Sequence, residues 1–348
     1  MVVMRQRRQQ DDPTLAPWSE VVDYAEWNGI LVGNGGSVAI WPDFRYGSLF
    51  DVATSGDVPH PLSDEDKELF EAFDTTNFEQ ILASLKTAGV VAQALELDNA
   101  VDALEERYRS VQRGLFEAVH AVHVRWEAVA ARTIPALFDI LRGYKYVFST
   151  NYDLLLYWGS MHRGGIGFLD YFWGPGTTFD IFDTEIWATR ERWTRILFLH
   201  GGIHLRRVRG GGTRKLLAAD GAILDQFGAE WDEDESPLLV SEGESRDKLS
   251  SILSSDYLTF GHQMFGSHEG GLVVFGHSLG EQDDHLVIPM RVWRETPVAV
   301  SIRPTQDEDR IIQQKDRIRS RLSPMRDIVF FDSSTHPLGN PDLAVHRA

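Results

Sequence analysis

From Gly271 onward the sequence alternates between two hydrophobic patterns. "GLVVF" is a short continuous apolar run, "DDHLVIPMRVW" has helical spacing, and "PVAVSI" is apolar again. "DEDRIIQQKDRIRSRL" returns to helical spacing and "DIVFF" closes the series. A short β-branched and aromatic run with no polar alternation must be buried on both faces. Such strands, joined by helices, form a parallel sheet, because parallel neighbours need a crossover long enough to hold a helix. The same signature occurs upstream in "NGILV" (28–32), "KYVF" (145–148) and "RILFL" (195–199). The expected fold class is therefore α/β, a Rossmann-like parallel sheet flanked by helices.

The sheet is expected to be split in sequence. Residues 61–134 read as a helical insertion, leaving 27–60 and 135–348 as the sheet domain and 1–26 as an N-terminal arm, loose over 1–17. Ser63 is placed to cap the first inserted helix, and Thr76 with Glu79 has the spacing of a capping box. Val101, Leu104, Tyr108, Val111, Leu115, Val119, Val122 and Trp126 recur at three- and four-residue steps, the stripe of one long amphipathic helix. His120 and His123 lie one turn apart on it. With no further ligand nearby, they read as packing residues and not as a metal site. "RRVRGGGTRKLL" reads as a hairpin and "SRDKLSSILSSDYLTFGHQMF" as a helix.

Composition narrows the function. A net charge of −18 argues against a general nucleic-acid binder, which needs a basic face. There are no cysteines, so disulfides, thiol nucleophiles and cysteine zinc sites are excluded. No apolar run is long enough to span a membrane and no secretory h-region opens the chain, so the expectation is a cytoplasmic protein.

Each expected strand ends in a polar or glycine-rich loop. These are Gly33-Asn34-Gly35-Gly36-Ser37, then Ser149-Thr150-Asn151-Tyr152-Asp153, then His200-Gly201-Gly202, then Gly276-His277-Ser278. The carboxyl ends of parallel strands are where open α/β sheets bind ligands. One local reading is a serine esterase. Gly276-His277-Ser278-Leu279-Gly280 matches the G-x-S-x-G elbow, His200-Gly201-Gly202 resembles an oxyanion-hole motif, and Asp332 and His336 are the available late acid and base. That reading leaves "GNGGS" and "STNYD" without a role. It also puts the polar run "EQDDH" where a hydrolase packs a helix against its sheet.

Taken in order, the four loops resemble those of the sirtuin-like NAD-consuming superfamily, over about residues 27–292. Within it the chain looks most like the bacterial stand-alone and antiviral-defence branch, since the cysteine zinc ribbon of the deacylases is missing. The resemblance implies that Gly33, Asn34, Gly35, Gly36 and Ser37 cradle the dinucleotide phosphates. It implies that Asn151 and Asp153 lie beside the nicotinamide ribose, that His200 is the catalytic histidine, and that Gly276, His277 and Ser278 contact NAD. His204, Asp284 and His285 stay undecided between ligand and structural roles. Breaking the nicotinamide–ribose bond develops positive charge on the ribose. An asparagine amide can then position water, and a histidine can take a proton. The implied activity is a gated NAD glycohydrolase with NAD as substrate and no metal. A homo-oligomer and a protein partner or trigger are also implied. A non-catalytic NAD or ADP-ribose sensor is the alternative.

Overall fold

The apolar runs of the sequence become strands in a computed structural model. It describes residues 12–45, 49–182, 189–208, 212–217, 223–224, 235–240, 245–293, 296–323 and 327–346. The strands are β1 (Trp27–Val32), β2 (Tyr146–Ser149), β3 (Phe168–Leu169), β4 (Thr194–Phe198), β5 (Gly201–Val208), β6 (Thr213–Lys215), β7 (Glu235–Leu239), β8 (Gly271–Phe275), β9 (Val298–Ile302) and β10 (Ile328–Asp332). Seven of them form one sheet in the order β10-β9-β8-β1-β2-β4-β3, and every neighbouring pair is parallel. Ile30, Leu31, Val147, Phe148, Val273 and Val274 are buried, with helices covering both faces, which is why these strands carry no polar alternation.

The chain leaves β1 toward β2, β4 and β3, then returns to the other side of β1 to lay down β8, β9 and β10. The order in which strands are added therefore reverses between β1 and β8. Crevices form at such reversals, outside the carboxyl ends of the strands. A second, three-stranded antiparallel sheet, β6-β5-β7, follows directly from the end of β4. Between β1 and β2 the chain builds helices at Asp64–Ala72, Phe78–Ala94 and Asp98–Val122. No helix among the described residues is long and apolar enough to cross a membrane.

Several local expectations change. The long stripe does not run to Trp126: the helix ends at Val122, His123 is extended, and Trp126 begins a separate turn. The second inserted helix starts at Phe78, with Asn77 Oδ1 accepting from Gln80 N at 3.4 Å, one residue after the expected Thr76 cap. The full capping box belongs instead to Ser63 and Asp66. The segment 245–266 is two helices, Ser245–Leu253 and Asp256–Gly266, because Ser255 turns extended and caps the second. The described end of the expected loose arm is bound. Ala16 bridges Phe331, Asp332 N donates to Ala16 O at 2.9 Å, and Lys315 Nζ donates to Asp12 O and Thr14 O. These residues cover the exposed edge of β10, where unpaired backbone would otherwise invite association. Gly210 and Gly211 of the expected hairpin lie outside the described residues, but β5 and β6 pair antiparallel on either side of them.

Candidate active site

The four polar loops follow four neighbouring strands, β8, β1, β2 and β4. The register aligns their ends: Val32 pairs with both Ser149 and Phe275, and Ser149 pairs with Phe198. Gly33, Thr150, Leu199 and Gly276 are thus the first residues beyond the sheet. Asn151 and His200 each stand two residues past the ends of the paired strands β2 and β4.

The glycine loop meets the Gly276 loop face to face. Gly33 N donates to Phe275 O at 2.9 Å, Gly35 N to Gly276 O at 2.8 Å, and Gly36 N to Gly33 O at 2.8 Å. These amides were expected to cradle phosphate, yet each already has a protein acceptor. The glycines are explained by the close approach itself. A Cβ on Gly35 would lie 2.7 Å from Gly276 O, and one on Gly276 would lie 2.2 Å from Gly36 N. Asn34 is exposed, and its amide donates to Phe44 O at 3.1 Å.

Asn151 ties the second loop to the first. Its Nδ2 donates to Ser37 Oγ at 2.7 Å and to Gly33 O at 3.1 Å, which fixes the amide orientation because the opposite one would face oxygen with oxygen. Ser37 Oγ donates to Asp153 Oδ2 at 2.5 Å, and Asp153 Oδ1 accepts from Leu155 N at 2.9 Å. Burial pushes the Asp153 carboxyl above its ordinary range, opposed by these hydrogen bonds. Both amide protons of Asn151 are therefore committed to the loop. Its Oδ1 has no hydrogen-bond partner among the described residues. Toward a ligand the Asn151 amide is thus, in this arrangement, an acceptor.

His200 faces a cluster that sequence reasoning only partly reached. Its Nε2 lies 2.7 Å from His285 Nε2, and His285 Nδ1 lies 3.3 Å from Ser245 Oγ. Lys248 Nζ pairs with Asp283 Oδ1 at 3.1 Å, and His277 Nε2 lies 3.9 Å from Asp283 Oδ2. His277, expected as an NAD contact, thus points into this cluster. Its Nδ1 accepts from Leu279 N at 3.0 Å. Burial, followed by His285 and Lys248, holds His200 well below the usual histidine range. Burial pushes His285 down to about 3, with Asp283 opposing. Both rings are neutral near pH 7. His200, Asp283 and His285 also offer ligand atoms within 4.8 Å of one another, a grouping that could hold a metal ion. The carboxylate in that set already has the Lys248 ammonium as its counter-charge, which disfavours a second cation.

Other candidates fall outside the cluster. Asp284 pairs with Arg321 Nη2 at 2.5 Å, and His204 is buried between the rings of Tyr157 and Phe198. His123 is structural, donating to Val124 O at 2.7 Å and accepting from Leu154 N at 3.0 Å. The esterase reading loses its geometry. Ser278 is exposed, and the left-handed backbone of the turn falls on Gly276 and Leu279 instead of on the serine. His336 is buried against Trp18 and Phe275, its Nδ1 accepting from Leu338 N and its Nε2 paired with Tyr144 Oη at 3.0 Å. Asp332 caps Ser334. Among the described residues no acid–base pair serves Ser278. The signal for His285 was present in "GHSLGEQDDH", but the sequence alone could not separate it from Asp284.

Fold and site together define a class: a Rossmann-like α/β protein with its polar residues gathered at the carboxyl edge of a parallel sheet. Within that class, the model of a family described as a domain of unknown function, DUF4917, matches residues 30–338, and the chain belongs to that family. No curated protein matches it. Solved structures resemble it at low identity. One, described as the structural basis for the mechanism and regulation of Sir2 enzymes, is 11% identical over 94% of each chain, with a TM-score of 0.37. Sir2Tm bound to a propionylated peptide is 10% identical over 87% of this chain and 96% of the other, with a TM-score of 0.35. A Sir2 with a peptide and NAD+ is 12% identical over the same shares, 87% and 96%, with a TM-score of 0.33.

Proposed function

We propose that this protein is an NAD glycohydrolase that hydrolyses the nicotinamide–ribose bond to nicotinamide and ADP-ribose. The observation that carries the reading is the alignment of Asn151 and His200 two residues past the ends of adjacent paired strands, at the edge where such sheets bind ligands. The order of the four loop motifs supports it. In this reading Asn151 Oδ1 accepts a ribose or water hydroxyl, and the neutral His200 ring takes a proton as the oxocarbenium-like charge develops. Asp153 and Ser37 hold Asn151 in place. Gly33 to Ser37 and Gly276 to Ser278 form the floor against which the dinucleotide lies. Asn151 and His200 are each only 5% exposed, so substrate entry requires the loops to move apart. That closure supports gating by assembly, a trigger or a protein partner, with NAD depletion in defence as the outcome.

The test is direct. Purified protein is incubated with NAD+ and nicotinamide release is followed, alone and under conditions that promote assembly. Asn151→Ala and His200→Ala should each lower release by on the order of 10²–10⁴-fold while the fold survives. Full turnover in either variant overturns the assignment, and tight NAD binding without turnover under every condition establishes a sensor instead.

A further inference from the structure

We propose that His285 is a positioning residue that sets the tautomer of His200, keeping its proton on Nε2 and its lone pair on Nδ1. The inference deepens the reading of His200 as the base and rests on it. Two imidazole nitrogens 2.7 Å apart must share one proton, because two lone pairs at that distance repel. Two arrangements satisfy the contact. In the first, His200 Nε2–H donates to His285 Nε2, and His285 Nδ1–H donates to Ser245 Oγ. In the second, both rings carry the opposite proton, and His200 Nδ1–H is left with no acceptor among the described residues. The first arrangement gives every ring N–H of the pair a protein acceptor and the second does not, and an N–H without a partner is rarer than an open lone pair. The first arrangement is therefore favoured. It is also the only one of the two that leaves His200 able to accept a proton.

His285 is itself fixed from several sides. Its backbone N–H donates to Ser245 Oγ at 2.8 Å, and its carbonyl accepts from His262 Nε2–H at 2.7 Å. Ser245 Oγ, with two lone pairs, takes both the backbone and the ring proton of His285. The charged groups nearby, Lys248 and Asp283, form an ion pair with each other, so no isolated carboxylate draws a second proton onto the rings. The proton that His200 accepts at Nδ1 leaves it as an imidazolium, with its Nε2–H still donated to the lone pair of His285. Histidine here takes the tautomer-holding role that a carboxylate plays beside other catalytic histidines.

Nitrogen-15 NMR of the histidine-labelled full chain distinguishes the two tautomers by ring shift and by coupling to the ring protons. The wild type should show His200 with its proton on Nε2. His285→Phe should lose that state and lower kcat for nicotinamide release by on the order of 10²-fold with KM unchanged. His285→Gln, whose amide oxygen can accept the same proton, should partly restore both signals and covers the case in which the phenylalanine variant does not fold. A wild-type His200 protonated on Nδ1 overturns the proposal, as does a folded His285→Phe that keeps the Nε2–H tautomer and full kcat. Stoichiometric Zn2+ binding that moves both Nε2 signals also overturns it, by showing a metal between the rings. If the wild type shows the tautomer and His285→Phe loses it while no nicotinamide is released, the dyad stands and the glycohydrolase reading fails.

Discussion

Ser37 links two loops through one hydroxyl. It accepts from Asn151, donates to Asp153, and sits in the helix Asn34–Ile40, whose first turn carries the glycine sequence. Removing that hydroxyl strands an amide proton on one side and a buried carboxyl on the other. Groups left unsatisfied in the interior cost about 1–3 kcal/mol. Ser37→Ala should therefore lower the unfolding free energy by that amount, seen as a lower denaturant midpoint with an unchanged slope, and reduce nicotinamide release along with it. An unchanged midpoint would show that the network carries no net energy. The residue types of this site were legible in the sequence, since asparagine, aspartate, histidine and serine each end an apolar run. Their directions were not. Which end of the Asn151 amide faces outward depends on Gly33 O, 118 residues away, and no local pattern carries that information. His285 was hidden for the same reason: its partner lies 85 residues upstream, and only the β8–β1–β2–β4 order brings the two together.

Among elements, the turn after β8 and the turn after the helix Leu155–Met161 make a controlled comparison. Gly276 has φ +65° and Gly164 has φ +72°, so alanine is equally strained by backbone at both. At Gly164 an added Cβ meets nothing within 4 Å, whereas at Gly276 it lands 2.2 Å from Gly36 N. Gly164→Ala should cost about 1–2 kcal/mol. Gly276→Ala must push the glycine loop away from the Gly276 loop and should cost more than about 3 kcal/mol. Equal melting temperatures for the two variants would mean that the loops do not pack as described. The strands themselves were readable because burial on both faces erases polar alternation, and each expected parallel strand is present. Element ends were less readable. The break at His123 is set by its two hydrogen bonds to Val124 O and Leu154 N, and the break at Ser255 by a cap, while the apolar stripe runs on past both. The covering of β10 by Ala16 and Trp18 was invisible for a different cause: it joins segments more than 300 residues apart, such as Trp18 N and Thr335 Oγ1 at a separation of 317.

Across the whole molecule, burial of neutral histidines sets how stability depends on pH. Burial pushes His123 down to about 4 and His285 and His336 to about 3, and lowers His200, His204, His268 and His277 as well. In the unfolded chain each takes a proton near pH 6.5. Below that pH the unfolded state binds more protons than the folded one, so stability is complete above about pH 6.5 and falls as pH drops toward the folded values. Asp153 acts in the opposite sense. Its carboxyl is raised, so it favours the folded state at low pH and loses that contribution as pH rises through its folded value. One carboxyl is outnumbered by the histidines. His336 isolates a single contribution, because aromatic rings surround it and burial alone shifts it. Its Nδ1 accepts from Leu338 N, a bond that protonation destroys. Urea midpoints should therefore fall steadily between pH 7 and pH 5. His336→Phe should start from a lower value, having lost the Tyr144 and Leu338 bonds, but should decline less steeply, by up to about 1.4 kcal/mol per pH unit. Stability that stays flat from pH 7 to pH 5 would mean that these histidines are not buried neutral. Parallel slopes for wild type and His336→Phe would place the proton uptake elsewhere in the molecule.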